Sequence, residues 1–202
     1  IYDESKKNIS LEVRNNSKEG YGGQVWIEHI SQSKSDPAFI PLPSFFKVGG
    51  EQTQIVRIMK ITESLPNDKE SIFWLNVQEI PPVSDSESNV MVVAVNTKVK
   101  LIYRPEQIKN ERLNAESLLI VEKNGNQLVL KNPTPYYFAA VDLKINGIQK
   151  VKLNKGLMNK IGMIEPFSSI TLTGLNADKG DSMTIDTIDD YGAINSYKIS
   201  IK

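Results

Sequence analysis

Apolar and polar positions along this chain alternate in short runs, each broken by Gly, Pro or Asn. A period of two is the signature of strands with one buried face. Ile9-Ser10-Leu11-Glu12-Val13 alternates cleanly and stops at Asn15-Asn16-Ser17. Residues 24–30 predict the next strand. Residues 39–48 carry Pro41 and Pro43, which donate no backbone hydrogen bond, so the pattern predicts an edge or irregular strand closed by Gly49-Gly50. Strands are predicted over 54–61, 71–80 and 89–103. In the second half, residues 117–122 and 127–130 flank Lys123-Asn124-Gly125-Asn126, a hairpin turn centred on Asn-Gly. Residues 138–145 run into the turn Asn146-Gly147, and strands follow over 170–172, 182–188 and 196–201. No long amphipathic helix is predicted. Many short strands separated by turn residues predict an all-β fold made of β-sandwiches.

Proline stops the long strand at Arg104-Pro105, and residues 106–116 are polar and charged. The expected division is a domain over 1–105, a connecting segment over 106–116, and a second domain over 117–202. A chain of 202 residues suits two domains of about 100 residues each. Composition narrows the function classes further. Lys+Arg and Asp+Glu are both 24, so the net charge of zero gives no electrostatic case for nucleic acid or an anionic membrane surface. The absence of cysteine excludes thiol catalysis, cysteine-ligated zinc and a disulfide framework. No run approaches the roughly 18 apolar residues of a membrane span.

Val90-Met91-Val92-Val93-Ala94-Val95 is an uninterrupted apolar run. One reading is a strand buried on both faces. The other is an edge strand exposing a row of apolar side chains. Proteins usually blunt such an edge with charge or proline, and this run has neither, so a partner would normally cover it.

Four further segments carry a family resemblance. They are Leu65-Pro66-Asn67-Asp68-Lys69-Glu70-Ser71-Ile72-Phe73-Trp74-Leu75-Asn76-Val77-Gln78-Glu79-Ile80-Pro81-Pro82, then Thr97-Lys98-Val99-Lys100-Leu101-Ile102-Tyr103-Arg104-Pro105, then Asn132-Pro133-Thr134-Pro135-Tyr136-Tyr137, and finally Asp190-Tyr191-Gly192. In this order they resemble the signatures of PapD-like periplasmic pilus chaperones of the chaperone–usher pathway. The short polar loop 83–88, with no cysteine, is similar to the short-loop branch, which serves rod-like pili with adhesive tips.

The resemblance implies two immunoglobulin-like β-sandwich domains at an angle, with an interdomain cleft. It implies a chaperone that binds, folds and caps pilus subunits by donor-strand complementation and delivers them to the outer-membrane usher. Met91, Val93 and Val95 would be the donated side chains, spaced by two as one strand face requires. Lys100 would anchor the subunit's C-terminal carboxylate by charge-assisted hydrogen bonds. Its parity is opposite to the donor residues, a tension that twist or a bulge could resolve. The family's partner for this lysine is an arginine two residues before the position matching Ile1, outside the sequence. Glu79, Arg104 and Asp190 would form a buried interdomain charge network. The expected location is the periplasm, with a signal peptide removed. No cofactor and no ATP are expected, and an adhesive edge left alone can cap itself by self-association.

Rival readings are thin. The single histidine, His29, lies in a strand-like stretch, and no Gly-x-Ser-x-Gly elbow accompanies it. Asn176-Ala177-Asp178-Lys179-Gly180-Asp181 is rich in oxygen ligands but misses the EF-hand pattern, so a hairpin turn is expected there and no metal. The alternative function is an immunoglobulin-like fimbrial subunit or adhesin. A subunit carries an alternating N-terminal extension and one incomplete domain, and it aggregates in isolation.

Overall fold

The computed structural model describes residues 1–30, 37–82, 93–147 and 153–202, together with the backbone of 149–150. The chain divides into two compact units, Ile1–Pro66 with Ser71–Glu106, and Asn67–Glu70 with Gln107–Lys202.

The first unit holds β1 (Tyr2–Asp3), β2 (Ile9–Arg14), β3 (Tyr21–His29), β4 (Phe39–Leu42), β5 (Phe45–Val48), β6 (Thr53–Lys60), β7 (Ser71–Ile80) and β8 (Asn96–Arg104). They form a five-stranded sheet, β1-β8-β7-β3-β5, and a three-stranded sheet, β2-β6-β4. The alternating positions of both sheets meet in one core. Tyr2, Val25, Phe39, Val56, Ile58, Phe73, Leu75, Leu101 and Tyr103 are all buried there. The Phe39 ring packs edge-on against Tyr2 and Phe73, each at 5.0 Å. Offset and edge-to-face aromatic pairs add attraction beyond the area they bury. Gly23 is dictated by close approach, because a Cβ at that position would lie 2.3 Å from the Phe46 ring.

The second unit holds β9 (Ile120–Asn124), β10 (Gln127–Asn132), β11 (Ala139–Ile145), β12 (Gln149–Lys150), β13 (Ser168–Leu172), β14 (Ser182–Ile188) and β15 (Ile194–Ser200), with one short helix, α1 (Lys155–Ile161). Its sheets are β13-β10-β9 and β12-β11-β14-β15. Leu128, Leu130, Leu143, Ile161, Ile164, Met183 and Ile185 are buried between them. The all-β expectation holds in both units.

Several local features depart from the alternating pattern. The single strand expected over 39–48 is two strands in different sheets, β4 and β5, with a cis Leu42–Pro43 peptide between them. The run Asn176 to Asp181 is no hairpin turn. It joins β13 to β14, which belong to different sheets, so it is a crossover. Helix α1 was not predicted. Asn154 caps it by accepting from the Leu157 N–H at 2.8 Å, and Leu157 and Ile161, one turn apart, enter the core. The start of the strand expected over 117–122 is a 3₁₀ turn, Ala115–Leu118, so β9 begins later. The connecting stretch also contains a 3₁₀ turn at Glu106–Glu111. It is fastened within the second unit by Arg112. That guanidinium forms a two-pronged pair with Glu116 at 2.7 and 2.9 Å and lies over the rings of Tyr136 and Phe138.

Candidate functional site

The site is built on β8. On one side β8 pairs with β7 in an unbroken antiparallel register from Ser71↔Tyr103 to Gln78↔Asn96. On its other side β1 meets only Tyr103 and Arg104. Among the described residues, no strand covers the outer edge of β8 from Asn96 to Ile102. An uncovered edge presents a row of backbone donors and acceptors to any chain that can lie beside it.

Alternation assigns the side chains to two faces. Leu101 and Tyr103 point into the core. Val99, on the same row, is 43 % exposed, and Val95 and Val93 are 52 % and 63 % exposed. The apolar row of β8 thus leaves the core and continues into solvent. Val93 and Val95, two of the expected donor side chains, precede the regular strand and stand at this exposed end. Met91 and the loop 83–88 lie outside the described residues.

Lys100 lies on the other face, opposite Trp74. The register contains no bulge between Asn96 and Tyr103, so the opposite parity of Lys100 and the apolar row is real and follows from simple alternation. Lys98 shares this face of the strand with Lys100. Its ammonium lies 2.7 Å from Glu28 Oε1 and 5.0 Å from the centre of the Trp74 ring, and its hydrogen bond holds the Glu28 carboxyl below its ordinary pKa. Lys100 has an exposed side chain, yet the protein around its ammonium lowers its pKa by desolvation. A cation short of solvation gains most from an arriving carboxylate.

Glu79 requires a correction. It lies at the far end of the β7–β8 ladder from Arg104, opposite Val95. At about 3.3 Å per residue the two are roughly 30 Å apart, too far to share one charge network. The Glu79 carboxylate instead accepts the Val95 N–H at 3.3 Å. Arg104 is buried at the end of β8, where its carbonyl accepts the Glu4 N–H at 2.9 Å. Asp190 lies 3.6 Å from Arg112. Neighbouring Asp189 ties the β14–β15 turn, accepting from the Tyr191 and Ala193 N–H groups, each at 2.9 Å.

The sequence reading missed the buried acid Glu70. Its carboxylate accepts the Tyr137 N–H at 2.7 Å, and its own N–H donates to the Pro135 carbonyl at 2.9 Å. Both bonds lie within the second unit, to which Asn67–Glu70 belongs. Asn132 is structural. Its side chain donates to the Tyr136 and Glu165 carbonyls and accepts from Thr134. His29 stacks edge-on against Phe73 at 4.8 Å, a packing role. Among the described residues no group of three or more His, Cys, Asp or Glu could hold a metal.

Comparison with known proteins decides what this edge belongs to. Residues 1–109 match the family model described as "Pili and flagellar-assembly chaperone, PapD N-terminal domain", and 114–199 match "Pili assembly chaperone PapD, C-terminal domain". The chain belongs to the PapD family of pilus-assembly chaperones. Among PapD-family relatives, the chaperone protein FanE of Escherichia coli is 43% identical over 98% of this chain and 86% of its own length. The crystal structure of the Escherichia coli chaperone DraB superposes with a TM-score of 0.81 at 28% identity, covering 100% of this chain and 92% of that one. The SafB chaperone of Salmonella enterica, solved in complex with the SafA pilin, has a TM-score of 0.80 at 21% identity, over 98% of this chain and 91% of its own. That match shows the shared fold.

Proposed function

We propose that this PapD-family chaperone works in the periplasm by donating β8, with the Val93–Val95 segment before it, as an extra strand to fimbrial subunits. Backbone hydrogen bonds along the open edge give affinity, and alternate apolar side chains fill the groove of the incomplete subunit. Lys100 binds the subunit's C-terminal carboxylate and so fixes the register of the added strand. The work is binding and requires no cofactor. The captured subunit passes to an outer-membrane usher. The observation that carries this reading is the uncovered edge of β8 beside an apolar row that leaves the core.

The test is co-expression in a bacterial periplasm with a fimbrial subunit encoded beside the chaperone gene, followed by pull-down. The wild type should hold one subunit per chaperone. Lys100→Ala should lose capture without unfolding, and unchanged capture would remove the anchor. Val93→Glu should also block capture, because a charge desolvated in an apolar groove is costly. Normal capture by that variant would remove Val93 from the donated set.

A further inference from the structure

The β7–β8 ladder ends in an unusual way. In a regular antiparallel pair, residues facing each other across a hydrogen-bonded rung exchange two backbone bonds. Glu79 and Val95 make only half of that exchange with their backbones. The Glu79 N–H donates to the Val95 carbonyl at 3.0 Å, but the Val95 N–H goes to Glu79 Oε1 at 3.3 Å. The next such rung would need an N–H from Pro81, and proline has none to give. The sequence thus removes one of the two bonds that the next rung would need. The side chain of the ladder's last acid completes the final rung.

We propose that Glu79 is a positioning residue for strand donation. Its carboxylate latches Val95 at the point where β8 parts from β7. The latch fixes where the rigid strand begins and holds Val95 at the start of the edge that a subunit strand would pair with. Val93, just upstream, lies where β7 can offer no donor. Without the latch, Val95 and Asn96 fray, and the chaperone must order them at each encounter. Such ordering reduces binding in proportion to the freedom lost. Glu79 also lines a cleft of about 400 Å³ with Val13, Phe46, Val48, Val77 and Val95, and it is only partly buried. Removing it therefore leaves no buried cavity.

The inference rests on the donor-strand reading, and two measurements separate them. Amide exchange of the full chain, read residue by residue by NMR, reports the latch itself. Glu79→Ala should speed exchange at Val95 by about fivefold, the worth of one modest hydrogen bond, while Leu101 is unchanged. Glu79→Gln, which keeps a side-chain carbonyl, should stay close to wild type. Capture of a urea-unfolded fimbrial subunit encoded beside the chaperone gene, followed by stopped-flow fluorescence, reports the role. Glu79→Ala should capture several-fold more slowly, with Glu79→Gln restoring the rate. Unchanged Val95 exchange in Glu79→Ala overturns the latch. Faster exchange with wild-type capture kinetics overturns its role in donation. Failure of the wild type itself to capture any subunit overturns the donor-strand reading, a result distinct from either.

Discussion

The two sandwiches finish their sheets differently. In the second unit the edge strand β15 crosses at its end to the other sheet. Ile201 pairs with Val121, the Lys123 N–H donates to the Lys202 carbonyl, and the Lys202 N–H donates to the Val121 carbonyl. Only the end of that edge is tied: among the described residues, no strand pairs with the outer side of β15 from Ile194 to Ser200. In the first unit, among the described residues, β1 pairs with β8 only at Tyr103 and Arg104. The contrast lies in the apolar rows. In β10, Leu128 and Leu130 are fully buried, whereas the row of β8 passes from buried Leu101 to exposed Val99 and, ahead of the strand, to exposed Val95 and Val93. Among the described residues, both domains keep an edge strand largely unpaired, and what sets β8 apart is the apolar row that runs out of the core beside its edge. An open edge with exposed apolar side chains is an aggregation hazard unless a partner covers it.

The strongest way to break this comparison is to attack what locks the second unit. Arg112 and Glu116 are buried together as a two-pronged ion pair. Arg112→Met strands the Glu116 charge and should lower stability by about 3–5 kcal/mol in denaturant unfolding. The double change Arg112→Met with Glu116→Leu should recover most of that loss. If the single variant unfolds like wild type, the connecting stretch is not fastened as described.

A smaller effect sharpens the contrast between rows. Leu130→Ala empties a fully buried site and should cost about 2–5 kcal/mol. Val95→Ala removes a half-exposed side chain and should change stability by less than about 0.5 kcal/mol, yet it should weaken subunit capture. Equal destabilisation by the two would mean that the β8 row belongs to the core after all.

Much of this was legible in the chain. Alternation located β2 and β6, because each has one face on a core and one on solvent. Asn124-Gly125 marked the β9–β10 hairpin, where Gly125 takes a positive φ of 59°. The paired prolines flagged 39–48 as irregular, but a strand that changes sheets keeps its local pattern, so the division into β4 and β5 was invisible. Helix α1 is too short to show a period, and its one signal was the Asn154 cap with Leu157 and Ile161. The roles of Glu79 and Glu70 were hidden for a different reason. Both are acids in the same segment, and only register shows that one ends the ladder at Val95 while the other is buried against Tyr137. Sequence gives the type of a charged residue, whereas its partner depends on which residues face it across the sheet.

The finest test lies within β8 itself, between its two lysines. Lys98 pairs with Glu28, and desolvation lowers the pKa of Lys100. If Lys100 binds a carboxylate, only its protonated form can do so. Affinity for a subunit should then be full at neutral pH and fall as pH rises through the Lys100 pKa, below the ordinary lysine value of about 10.4. The bound carboxylate raises that pKa again, so capture in the alkaline window should take up a proton, measurable by calorimetry in buffers of different ionisation enthalpy. Lys100→Arg keeps its charge throughout that window and should flatten the profile, even though its planar fork fits the site differently. Lys98→Ala should leave the profile as it is. A profile identical in the wild type and Lys100→Arg would place the titrating group elsewhere and remove Lys100 from the anchor.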